Sequence, residues 1–148
     1  MKQFAVTAVL GVALVAATAV TAADNPIASR QTIMKNVGAS MGGLGKMAKG
    51  ELEFDAVTAE FALRTLNVAS HGYGELFPEG SDTGAENRAA PEIWSDRAGF
   101  DAEIAKLQES TGAAVAAPPT SVEELGQTLA SVGDSCKTCH EGFRLPAK

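Results

Sequence analysis

Val122, Leu125, Leu129, Val132, Cys136, Cys139 and Phe143 follow one another at steps of three, four, three, four, three and four. That spacing puts them all on one stripe of an α-helix, and such a stripe has to be covered by apolar material. The stripe carries both cysteines of the chain, and His140, one of two histidines, follows them directly in "GDSCKTCHEGF". Ser121, three residues before Glu124, has the spacing of a capping box and marks where this helix opens. The last element is therefore a helix whose inward seam presents two thiols.

The rest of the chain supplies partners of the same kind. "NPIASRQTIMKNVGASMGGLGKMAKG" places Ile27, Met34, Val37, Met41, Leu44 and Ala48 on one stripe, with Asn25 and Pro26 at its start and Gly50 at its end. A second helix is predicted from about Asp55, a capping residue, to Ser70. "HGYGELFPEGSDTGAENRAAP" breaks the pattern and is long enough to be a crossover or a covering flap. A third helix starts near Pro91, with Ile93, Phe100, Ile104 and Leu107 inward, and "GAAVAAPPTS" is predicted to break it. No period-two strand is present, so the expected fold is all-α, an antiparallel four-helix bundle.

The first residues, "MKQFAVTAVLGVALVAATAVTAADNP", hold Lys2 as their one charge before Asp24, then an apolar run ending in small residues. That is the form of a secretory signal peptide over residues 1–22, cut after Ala22 or Ala23, with residues 23–148 left as a single domain. An uncleaved membrane anchor is the competing reading, but the many Ala and Thr residues make the run weakly apolar. Losing Lys2 takes the formal charge from -6 to -7. An acidic chain without a basic stripe excludes nucleic acid as a partner. Its net charge would steer it toward a protein with a basic docking patch.

A CxxC pair has three common uses. A thiol oxidoreductase needs the pair at a helix N-terminus after a strand, and this pair falls late in a helix. A zinc site needs four ligands, and the chain offers two Cys, His140 and distant His71. The third use is covalent haem c: two thiols with two residues between them match the two vinyl groups, and the next residue, His140, supplies an imidazole to the iron. A core rich in Ala, Val and Leu and poor in aromatics also has use for a large apolar body. Across the iron, Met34, Met41, Met47, His71 or nothing are the candidates. Met34 and Met41 share a face about 10 Å apart, so only one can bind, and the pattern does not choose.

CKTCHEGFR near the C-terminus, ASRQTIM in the first helix and PEIWSD at the start of the third together resemble the cytochrome c′ family, over Asn25 to Arg144. The resemblance implies a four-helix bundle with haem on the last helix. Counted from Arg30, the position facing the distal side of the iron is Met34. Relatives with an apolar residue there leave iron five-coordinate, high-spin and able to bind gases such as nitric oxide or carbon monoxide. Methionine there is similar to the low-spin cytochrome c-556 class, in which sulfur ligates the iron. The resemblance further implies that Arg30 and Gln31 lie near the haem propionates and that Arg144 lies on the proximal side, with surface charge or polarity as the plain alternative for each of the three. Relatives of this kind can dimerise through the first two helices, where Gly42, Gly43 and Gly45 would permit close packing. The expected function is that of a periplasmic, monohaem electron-transfer protein, not an enzyme, serving redox partner proteins without membrane insertion after cleavage.

Overall fold

The computed structural model describes residues 25–84 and 87–146; the leader expected over residues 1–22 lies outside them. Among the described residues every regular element is helical: α1 Pro26–Ala48, α2 Ala56–Ser70, a 3₁₀ turn Tyr73–Leu76, α3 Glu92–Ser95, α4 Arg97–Ala116 and α5 Val122–Phe143. The four long helices form an antiparallel bundle in which α1 packs on α2, α2 on α4, α4 on α5 and α5 back on α1. The expected fold class is thus the observed one.

The helix ends are built by local chemistry. Asn25 Oδ1 accepts from Ala28 N–H at 3.0 Å, and Pro26 occupies the first helical turn of α1. That helix closes in a Schellman turn: Gly50 N–H donates to Met47 O, Glu51 N–H to Lys46 O, and Gly50 takes φ +72°. Asp55 caps α2 through Thr58 N–H at 2.7 Å. At α5, Ser121 Oγ accepts from Glu124 N–H as the capping box requires, while the Glu124 carboxylate reaches the Thr120 backbone and hydroxyl.

Two boundaries differ from the sequence reading. The third helix is interrupted: α3 is one short turn, Asp96 leaves helical geometry (φ -124°, ψ 61°), and its side chain caps α4 through Gly99 N–H. Capping at Asp96 satisfies the amides that a continuous helix would have satisfied internally. At its other end α4 runs on to Ala116, beyond the break expected at Gly112, because Thr111 and Ala114 continue the buried face. Pro118 ends it by forcing Ala117 out of helical geometry.

The interior forms two apolar clusters. The first joins Leu44 and Met47 of α1, Ala59, Leu63 and Leu66 of α2, Ala114 of α4, and Leu125 and Val132 of α5. The second joins Phe77, Ile93, Phe100 and Ile104, with Tyr73, Trp94 and Phe143 packed against them. Cys136 packs on the first cluster and Phe143 on the second, so the segment of α5 between them, with Cys139 and His140, runs from one to the other.

Candidate functional site

The rotation of α5 is set by its flanking polar residues. Ser135 Oγ donates to Ser110 Oγ at 3.0 Å, and Thr138 Oγ1 donates to Glu103 Oε2 at 2.7 Å. Both bonds tie α5 to α4, and Thr138 lies between the two cysteines. With that face tied down, Cys136 and Cys139 point along the inward seam, each half-buried and neither in a disulfide. Neither Glu103 nor Ser110 carried a signal in the sequence, since each is one polar residue among many on α4.

The electrostatics do not suit thiol exchange. Burial, then the Glu103 charge, then Cys136, raise the Cys139 thiol to about 11. Burial likewise raises Cys136. Neither is a poised thiolate of the kind a disulfide oxidoreductase uses. Partial burial, then the charges of Arg144 and Arg88, push the His140 imidazole below its ordinary pKa. It is therefore neutral at pH 7, the form that offers a lone pair to a metal. For zinc, the described residues contain no group of three or more His, Cys, Asp or Glu side chains that would hold an ion. His71 sits apart as the exposed C-cap of α2, with Nδ1 2.8 Å from Asn67 O.

The long segment between α2 and α3 is held down as a cover, and Arg30 is its anchor. Surface charge, the plain alternative for Arg30, is overturned: the side chain is buried, only 3% exposed. Its Nη1 donates to Leu76 O and Ser81 Oγ, and its Nη2 to Ser81 O and Asn87 Oδ1. The guanidinium also stacks 4.7 Å from the Phe77 ring centre and 5.9 Å from that of Trp94. Gln31, its neighbour, is exposed. Tyr73, in the 3₁₀ turn, is pushed up to about 12 by burial and then by Cys139, with Arg30 and Arg144 opposing. Tyr73 therefore joins the site from a stretch that the sequence marked only as loop.

Beyond Phe143 the chain turns extended. Ala89 and Arg144 form an antiparallel bridge, with Ala90 N–H donating to Phe143 O and Leu145 N–H to Arg88 O. Arg144 thus stands exposed past the end of α5, next to Arg88.

The methionines separate clearly. Met47 is buried in the first cluster, and Met41 packs against it together with Cys136. Met34 is half-buried on α1 and belongs to neither cluster among the described residues. Gly42, Gly43 and Gly45 have open space where a Cβ would stand, so they permit no close approach within the chain.

This donor set fits haem c. It comprises two half-buried thiols one turn apart on an inward seam, a neutral imidazole next to the second, and aromatic and apolar clusters on either side. The family model described as Cytochrome C′ matches residues 25–144. Cytochrome c-556 of Agrobacterium fabrum is 36% identical over 145 residues, covering 98% of this chain and 97% of that protein. Cytochrome c′ of Rhodopseudomonas palustris is 38% identical over 120 residues, covering 80% of each. A solved structure of cytochrome c′ from Rhodopseudomonas palustris superposes with a TM-score of 0.80 at 32% identity, covering 85% of this chain and all of the other.

Proposed function

The chain belongs to the cytochrome c′ family, the class II c-type cytochromes, and is a monohaem cytochrome with one covalently bound haem c; on that premise we propose that it transfers electrons with His140 and Met34 as the axial ligands. Cys136 and Cys139 would supply the thioether sulfurs, and the imidazole of His140 would supply a nitrogen to the iron. When bound, the haem supplies a one-electron couple, and thioether ligation favours its reduced form relative to a second imidazole.

The chain's own contribution is positioning. The α5–α4 bonds through Ser135 and Thr138 hold the thiols on the seam, and the aromatic residues around Phe77 keep water from one side. What supports Met34 is the match to the low-spin relatives: counted from the buried Arg30 of ASRQTIM it stands at the position of the sulfur ligand in the cytochrome c-556 class, it is half-buried on α1, and a cytochrome c-556 matches 98% of this chain. Arg30 contributes a buried positive charge suited to offset the carboxylates of the cofactor, while Gln31 and Arg144 contribute polar surroundings.

With both axial positions filled, the protein acts on no substrate and is not an enzyme. Export through the leader over residues 1–22 would put it in the periplasm, where haem c is attached. A second copy is the natural cover for the outer face of α1 and α2. There Phe61 and Val68 are each 73% exposed, beside an apolar groove of about 360 Å³ that Ile33 and Thr65 also line.

The test is the absorption spectrum of the purified holo-protein in both oxidation states. Low-spin spectra are expected, with Met34→Leu turning the iron high-spin and reactive to carbon monoxide, and Met41→Leu leaving it low-spin. A wild-type protein that is already high-spin would assign it instead to five-coordinate binding of small gases.

A further inference from the structure

The net charge, -6 for the whole chain and -7 without Lys2, favours a partner with a basic patch, but at physiological salt the screening length is about 8 Å, so charges around the contact outweigh the rest of the molecule. Around His140 the local charge has the opposite sign. Lys137, His140, Glu141 and Arg144 share the outward face at the end of α5, all exposed. The antiparallel strap lays Arg88 beside them, with Arg88 Nε donating to Leu145 O at 2.9 Å. Among the described residues Glu141 is the carboxylate on this face, and it pairs loosely with Lys137 at 3.8 Å. Asp134 stands one turn back, toward Lys106 and Glu103. Arg88 and Arg144 form no ion pair with any described residue, and both act on the His140 imidazole. Leu145, 41% exposed and paired with Arg88 in the strap, adds an apolar contact point.

Resting on the electron-transfer reading, we propose that the redox partner docks on the basic ridge of Lys137, Arg88 and Arg144 around His140, and that its docking face is acidic. One electron leaves the reduced protein across this face and enters a one-electron acceptor; no atom or proton moves with it. For a partner of acidic net charge, long-range repulsion by the net charge and local attraction at the ridge are then opposed, and screening at physiological salt leaves the local attraction the stronger.

The experiment uses the reduced holo-protein in stopped flow with two oxidants, anionic hexacyanoferrate(III) and cationic tris(phenanthroline)cobalt(III). As ionic strength rises from about 0.1 M to about 1 M, screening shortens from about 10 Å to about 3 Å, and the anion's rate should fall about two- to fivefold while the cation's rises. Arg88→Glu should abolish or reverse the anion's slope. In parallel, the unreactive paramagnetic anion hexacyanochromate(III) should broaden the amide resonances of Arg88, Lys137 and Arg144 in the reduced protein. An anion rate that rises with salt, or broadening centred elsewhere while electron transfer is fast, overturns the ridge and leaves the electron-transfer reading standing. If neither oxidant accepts an electron, the electron-transfer reading falls, and the ridge as a redox docking site falls with it.

Discussion

At the scale of single residues, two polar side chains decide how the site is held. Thr138 stands between the cysteines, and its bond to Glu103 joins that of Ser135 to Ser110 in tying α5 to α4 with the thiols on the seam. Thr138→Val keeps the shape and removes the donor, so denaturant unfolding should show a loss of about 0.5–1.5 kcal/mol. The bonds from Lys106 and then Thr138 hold the Glu103 carboxyl below the usual carboxylate range. A depressed carboxyl stabilises the fold above its unfolded pKa, and that contribution disappears as pH falls through the folded pKa. The Thr138→Val deficit should therefore shrink when the same unfolding curves are taken below about pH 4. Arg30 acts on a larger segment, since its bonds span from Leu76 to Asn87. Arg30→Met would leave buried carbonyls without donors and should cost about 2–4 kcal/mol, with hydrogen exchange rising through the segment after α2. Sequence alone made surface charge a fair alternative for Arg30, because nothing in ASRQTIM reveals that a distant loop folds back to offer its carbonyls.

Among the elements, the helix ends carry the legible information. Asn25, Asp55 and Ser121 were all recognisable as caps, because a cap depends on residues within one turn of itself. Gly50 is likewise local: its φ of +72° closes α1, so Gly50→Ala should lower stability by about 1–2 kcal/mol in thermal or denaturant unfolding. The carboxyls of Asp55 and Glu124 are both held below their ordinary values, chiefly by hydrogen bonds from Thr58 and Thr120 respectively. Their stabilisation is present above the unfolded carboxylate pKa and vanishes as acid protonates the folded form. The melting temperature should thus drop as pH is lowered from about 5 toward 2, and Asp55→Ala should show a smaller drop. The interruption at Asp96 escaped the pattern because Ile93 and Phe100 are both buried, which reads equally well as one continuous face. Asp96 looks like an ordinary surface residue until its side chain is seen to close over Gly99 N–H.

For the molecule as a whole, most of the buried apolar side chains fall into two clusters, and the segment of α5 that carries Cys136, Cys139 and His140 runs from one to the other. A Cys136→Ala, Cys139→Ala double variant, made without bound haem, should keep helical circular dichroism when cold and melt well below the loaded protein with a broader transition. The reason is that a ligand binding only the folded state stabilises it, and a covalent one cannot dissociate. The second copy proposed on the outer face of α1 and α2 is tested by Phe61→Asp, which puts a charge on the apolar face: sedimentation is expected to give a dimer for the parent chain and a monomer for the variant. The sequence reading offered α1 glycines for this contact. The exposed apolar residues stand mostly on α2, which the inward stripes had not singled out.

The amino-acid order by itself determined the helical class, the four long rods, most of their caps and the thiol–thiol–imidazole set, because each rests on spacings within one or two turns. Only the tertiary structure decided that Arg30 is buried, that Tyr73 packs on the Phe77 cluster, that Glu103 and Ser110 bond to α5, and that the stretch with Arg88 pairs with the chain after Phe143. Those pairings join residues tens of positions apart. No local periodicity encodes them, and they exist once the rods have packed and the long segment between α2 and α3 has closed over their end.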